Sequence, residues 1–172
     1  MDEWLGWHFL PADGKTANKN RRIVSVCPTL RCRPPLVLCE HGLHASTRVI
    51  DALKYAPGPI VCRVRLHGEV LEVASIRDKA CATRRTTLAM ADASRVLREF
   101  ACDVGEEALL RERAAGREPD ARTWAAIETS RRVAAGEATD VELAAIGTAA
   151  WEAVGAVRVA DRAAWEANGV AA

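Results

Sequence analysis

The spacing of apolar positions changes once along the chain. Up to about residue 90 they come in short runs broken by Pro and Gly, and beyond it they recur at helical spacing on an alanine background. In the first part, Trp4 to Leu10 alternates Leu5/Trp7/Phe9 with Trp4/Gly6/His8, and rings on both sets predict a strand buried along most of its length. Residues 11–20 read as a polar loop. Arg22 to Val26 and Leu36 to Cys39 read as short strands, separated by Pro28 and Pro34-Pro35. Ser46 or Thr47 is placed to cap a short helix from Arg48 to Tyr55, with Val49, Ile50 and Leu53 as its apolar face and Pro57-Gly58-Pro59 as its stop. In Ile60 to His67, Cys62, Val64 and Leu66 alternate with Arg63, Arg65 and His67, one core face against one basic face. Gly68 marks a bulge or tight turn, Glu69 to Val73 continues the strand, and Ala80 to Leu88 forms a last one.

In the second part, Asp92 or Ser94 caps a helix to about Arg113 whose stripe is Val96, Leu97, Phe100, Ala101, Val104 and Ala108. Gly116 and Pro119 end it. Asp120 caps a second helix to about Ala135, with Trp124 and Ile127 inward and Gly136 as its stop. Thr139 to Glu142 is a capping-box pattern opening a third, which carries Val141, Ile146, Trp151, Val154 and Trp165. Short connectors make the three an antiparallel bundle. The expected fold is therefore α+β: a small, mostly antiparallel sheet with one short helix over residues 1–90, then a three-helix, alanine-rich segment over residues 91–172.

Charge sharpens this division. The chain of 172 residues carries a net charge of +1, but residues 1–90 hold 14 basic and 8 acidic side chains and residues 91–172 hold 10 and 15. The near-neutral total argues against a dedicated nucleic-acid binder and leaves room for a local basic patch. No apolar run approaches the ~18 residues of a membrane span, and the acidic start has no signal-peptide core, so a cytoplasmic protein with free, buried thiols is expected.

The segment Cys39-Glu40-His41-Gly42-Leu43-His44-Ala45, followed by Tyr55-Ala56-Pro57 and by Cys62 to Glu69, resembles an uncharacterised family common in phage and bacterial genomes, over roughly residues 1–110. That resemblance implies no activity, cofactor or catalytic residue. Phe100 to Glu106, Arg122 to Glu128 and Gly136 to Asp140 resemble the helical repeats of bacterial immunity proteins.

Several side chains are candidates for chemistry. Cys27, Cys32, Cys39, His41 and His44 offer soft and imidazole ligands for zinc, against the reading of buried thiols, with Cys39 facing the core. His44 reads either as a polar anchor or base, or as a hydrogen-bond partner that holds its turn. The order His44, Tyr55, then Glu69 or Glu72 is similar to that of ADP-ribosyltransferase-like enzymes, which implies a nucleotide-dependent transferase as the enzymatic alternative. Arg63, Arg65, His67, Arg84 and Arg85 read as a basic strip for an acidic protein, a phosphate backbone or a nucleotide, or else as a face packed on the acidic half through pairs such as Arg65 with Glu106 or Glu107. No Walker, GxGxxG, GxSxG or HExxH motif occurs. The favoured reading is a non-enzymatic phage or mobile-element accessory protein that binds a host or defence-system protein, needing no cofactor. His41, His44 and the basic strip would be its binding residues.

Overall fold

A computed structural model describes residues 4–17, 21–73 and 76–148, and it has an α+β fold. Two compact units divide the chain at Met1–Ser94 and Arg95–Ala172. The first is built on β1 (Trp4–Leu10), β2 (Thr29–Arg31), β3 (Leu43–Ala45), β4 (Ile60–Val73) and β5 (Ile76–Asp92), with the short helix α1 (Val49–Leu53). All strand pairs are antiparallel, in the order β1-β4-β5-β2, and β3 joins the same side of β5 as β2. Along β5, β2 lies opposite residues 84–86 and β3 opposite residues 80–82.

The strand alternation of β4 appears as the sequence indicates. Cys62, Val64 and Leu66 are buried and Arg63, Arg65 and His67 are half-buried on the other face. The core joins those three to Leu10, Val24, Ala45, Ala80 and Ala82. Gly68 has φ +80°, which a side chain rarely adopts, and sits where the β4–β5 register slips between His67 and Val70.

Several expected elements differ. Arg22 to Val26 is not a strand: it makes one isolated bridge, Lys15 to Ile23, and Ile23 is exposed. Leu36 to Cys39 is a surface turn, closed by the reciprocal bonds between Val37 and His41, and Cys39 is exposed at φ +76°. Pro34-Pro35 ahead of it denies the segment two backbone donors for a ladder. The strand lies instead at Leu43–Ala45, so His44 stands on a strand and not in a turn. Helix α1 is shorter than expected, its N-cap is Arg48 without a side-chain cap bond, and it buries Asp51 and Ala52 while Val49 and Ile50 stay exposed.

The second unit contains most of α2 (Ser94–Ala114), all of α3 (Ala121–Ala135) and a helical segment over residues 140–148. Its punctuation follows the sequence. Asp120 accepts from Arg122 N–H, Gly136 takes a left-handed φ of +80°, and Thr139 and Glu142 form the reciprocal capping box at 2.7 and 3.2 Å. The expected α2 stripe is rotated: Val96, Phe100 and Val104 are exposed, while Cys102 is buried with its Sγ 3.7 Å from the Ile127 carbonyl. The small residues set this rotation, since Gly105 lies against the Ile127 side chain and lets the helices approach. Val154, Trp151 and Trp165 lie outside the described residues.

Candidate functional site

Two places in the first unit gather the sequence candidates. The first is the basic face. Cross-strand pairing sets Arg31 directly opposite Arg84, and Arg84 directly opposite His67, so three cationic or titratable side chains lie in one row across β2, β5 and β4. Arg65, two residues before His67, lies on the same side of β4, and Arg63 stacks over the Trp7 ring at 4.9 Å. Among the described residues, Arg31 and Arg84 make no ion pair. His67 bonds Thr86 Oγ1 at 3.0 Å, and its pKa is lowered by burial and then by Arg65, Arg84 and Arg31. A cleft of about 580 Å³ adjoins this face, with Arg31, Arg33, Arg84, Cys32 and Glu69 on its walls.

Arg85 is not part of that row. Neighbouring residues of a strand face opposite sides, so Arg84 and Arg85 do not share a face. Arg84 is exposed and Arg85 is 3% exposed, inside the unit. Its Nη1 donates to the His44 carbonyl at 2.6 Å, its Nε has no partner, and burial pushes its pKa down to about 10. The acidic residues expected opposite Arg65 are engaged within the helical unit: Glu106 by Arg131 and Glu107 by Arg111.

The second place is a cavity of about 540 Å³ between β1, β3, α1 and the start of β5. His8, His44, Tyr55, Lys79 and Cys39 are on its walls, and none of the lining residues is acidic. His44 Nε2 accepts from the Cys39 N–H at 3.0 Å, so its ring holds the exposed turn of residues 37–41. His41 holds the same turn from the other side, its Nε2 2.6 Å from the Arg33 carbonyl. Burial, and then the charges of Lys79 and Arg85, lower the His44 pKa. His8 is lowered further, by burial and then by Arg85 and His44, so both rings are neutral at pH 7. The Lys79 ammonium lies 3.9 Å from the Tyr55 ring centre and beside the Cys39 thiol. The Tyr55 hydroxyl donates to Asp78 Oδ2 at 2.8 Å.

The structure thus brings His44 and Tyr55 to one cavity and keeps the two candidate glutamates elsewhere. Glu69 lines the cleft by the basic face, and Glu72 accepts the Trp4 indole N–H. The zinc candidates also disperse. Cys27 is exposed, Cys32 Sγ reaches the Ala82 carbonyl, and His41 and His44 spend ring nitrogens on backbone groups. Among the described residues no three His, Cys, Asp or Glu side chains form a metal-holding group. Nor is any described helix long and apolar enough to cross a membrane. His8 and Lys79 were not candidates from the sequence, where His8 reads only as one ring in a buried strand. Comparison with family models, curated proteins and solved structures gives no match.

Proposed function

We propose that this protein is a non-enzymatic binding protein that seats an acidic protein surface on the basic face of its sheet. One observation carries the reading: Arg31, Arg84 and His67 stand directly opposite one another on adjacent strands, and neither Arg31 nor Arg84 makes an ion pair among the described residues. Like charges directly opposite in a sheet repel, so the row costs stability in the free protein and is relieved by anions. Carboxylates of a partner supply them, and Arg31, Arg33 and Arg84 around one cleft give bidentate donors to receive them. The resemblance to a phage family makes a host or defence-system protein the partner expected.

Labelled poly-L-glutamate and a labelled oligothymidylate of equal charge test this by anisotropy on the full chain. Polyglutamate binding should weaken with salt, and Arg31→Glu or Arg84→Glu should lower its affinity about ten-fold. Unchanged affinity in both variants, or no binding at low salt, refutes the reading. Tighter binding of the oligonucleotide assigns the face to nucleic acid instead.

A further inference from the structure

The cavity is separate from the basic face, and its wall has an unusual makeup. Trp7, His8 and Phe9 are consecutive in β1, yet all three line it. Side chains alternate across a strand, so three successive residues border one cavity only where it abuts the strand's edge. The backbone bonds place that edge. Trp7 N–H donates to the Ser46 carbonyl at 2.7 Å and Ser46 N–H to the Trp7 carbonyl at 2.9 Å, an isolated bridge between β1 and the residue that follows β3. Backbone groups two residues apart point to the same side of a strand, so the N–H and C=O of Phe9 point where those of Trp7 do. Beyond Ser46 no described strand pairs with them, and the chain turns away into α1. A donor and an acceptor at peptide spacing therefore face the cavity without a partner, an arrangement proteins rarely leave unfilled.

The charge of the wall is equally one-sided. Lys79 makes no ion pair with a carboxylate among the described residues, and Arg85 lies buried near His8 and His44. No acidic side chain lines the space to offset them. The His8 ring has no hydrogen-bond partner among the described residues and adds a polar group beside the open edge. The volume lies within the range of small-molecule sites, ~300–1,000 Å³.

We propose that this cavity binds a small organic anion with an amide or heteroaromatic edge, the anionic group on the Lys79 ammonium and the edge paired with the Phe9 N–H and C=O. The shared chemistry is a phosphate or carboxylate on a flat, hydrogen-bonding body. Calorimetric titration of the full chain uses adenosine 5′-monophosphate and pyridine-3-carboxylate as the two anion sources. Adenosine and pyridine-3-carboxamide are their neutral counterparts. At least one anion should bind about ten-fold more tightly than its neutral counterpart, the worth of one charge-assisted contact. Lys79→Gln should abolish that difference. Ala52→Leu, which places a larger side chain on the α1 wall, should weaken both anion and neutral ligand; circular dichroism and thermal unfolding check that each variant is folded. No binding of either anion at millimolar concentration overturns the proposal. So does a neutral counterpart that binds as tightly, or a folded Lys79→Gln variant that keeps the preference.

Discussion

Replacing Arg85 with Met should leave the protein as stable as before or make it more so at pH 7. A buried arginine is normally read as half of an ion pair, and removing one partner of a buried pair costs about 3–5 kcal/mol. Here no carboxylate is paired with Arg85. Its Nη1 meets the His44 carbonyl and its Nε has no partner. Burial lowers its pKa from the ordinary guanidinium range to about 10. Each pKa unit corresponds to about 1.4 kcal/mol, so keeping the charge inside costs the folded state about 3 kcal/mol below pH 10. Folding lowers the pKa, so the unfolded chain holds this proton more tightly than the folded one and the penalty is fully present at neutral pH.

Against this stands the bond to His44, worth about 1.5–3 kcal/mol as a charge-assisted contact. Methionine fills much of the same volume and has no charge to desolvate. The balance lies between zero and about 2 kcal/mol of stabilisation, a rise of up to about 10 °C in the melting temperature of a unit this size. Urea midpoints of wild type and variant measure it. A second readout is independent of stability: Arg85 lowers the pKa of both His8 and His44, so both should titrate higher in the variant, as seen by NMR of the imidazole C–H signals. A loss of more than about 2 kcal/mol, with both histidines unmoved, would refute the reasoning.

Gly6→Ala should destabilise the protein by about 1–3 kcal/mol, because an added Cβ lands on the Trp4 ring and 2.7 Å from the Ser46 carbonyl; chemical denaturation checks it, and an unchanged midpoint rejects this packing at the Trp7–Ser46 bridge. Thiol labelling of the native protein should show Cys27 and Cys39 reacting fast and Cys62, Cys81 and Cys102 slowly, with all six reacting after denaturation; a shortfall under non-reducing conditions would mean a disulfide. Stability should fall as pH drops below about 6.5, since the unfolded chain takes up protons that His8 and His44 refuse when folded. The slope of urea midpoint against pH between 5 and 7 should shrink in His8→Phe, and an identical slope would remove His8 from the account.

What the sequence made legible was whatever a local period or cap decides. The core face of β4 follows from strict alternation at Cys62, Val64 and Leu66, and the helix ends follow from Asp120, Gly136 and the Thr139–Glu142 box. These signals need no knowledge of the partner element. The misreadings share the opposite property. Leu36 to Cys39 has the composition of a buried strand, but Pro34 and Pro35 precede it and no neighbour is placed to pair with it, so it closes on itself through Val37 and His41. The α2 stripe turned because Gly105 and Cys102, small residues with little weight in a hydrophobicity pattern, decide which side approaches Ile127. At the candidate sites the same divide holds. His44 as a turn-holding ring was readable from Gly42 and its place beside a turn, whereas the Arg31–Arg84–His67 row depends on register between strands far apart in sequence.

The unit Met1–Ser94 therefore keeps a few of its cations away from any carboxylate. Arg31 and Arg84 oppose each other across a ladder, Arg85 is buried without a carboxylate, and Lys79 faces a cavity without one. The first two arrangements weaken the free protein, by repulsion in the row and by desolvation in the interior, while Lys79 rests on the Tyr55 ring. Acidic groups are not scarce in the chain, which has 23 Asp and Glu against 24 Lys and Arg. In the helical unit they are used as expected: Arg111, Arg113, Arg117 and Arg131 all hold glutamates. The first unit pairs cations as well, Arg21 with Asp13 and Lys54 with Asp51, so Arg31, Arg84 and Arg85 stand out within their own unit. Positive charge concentrated on one sheet face and around one cavity raises the local concentration of anions and strengthens their binding once seated. Stability given up at such positions and regained when an anion binds is the thermodynamic form of a binding protein, because a ligand that prefers the folded state adds its binding free energy to that state.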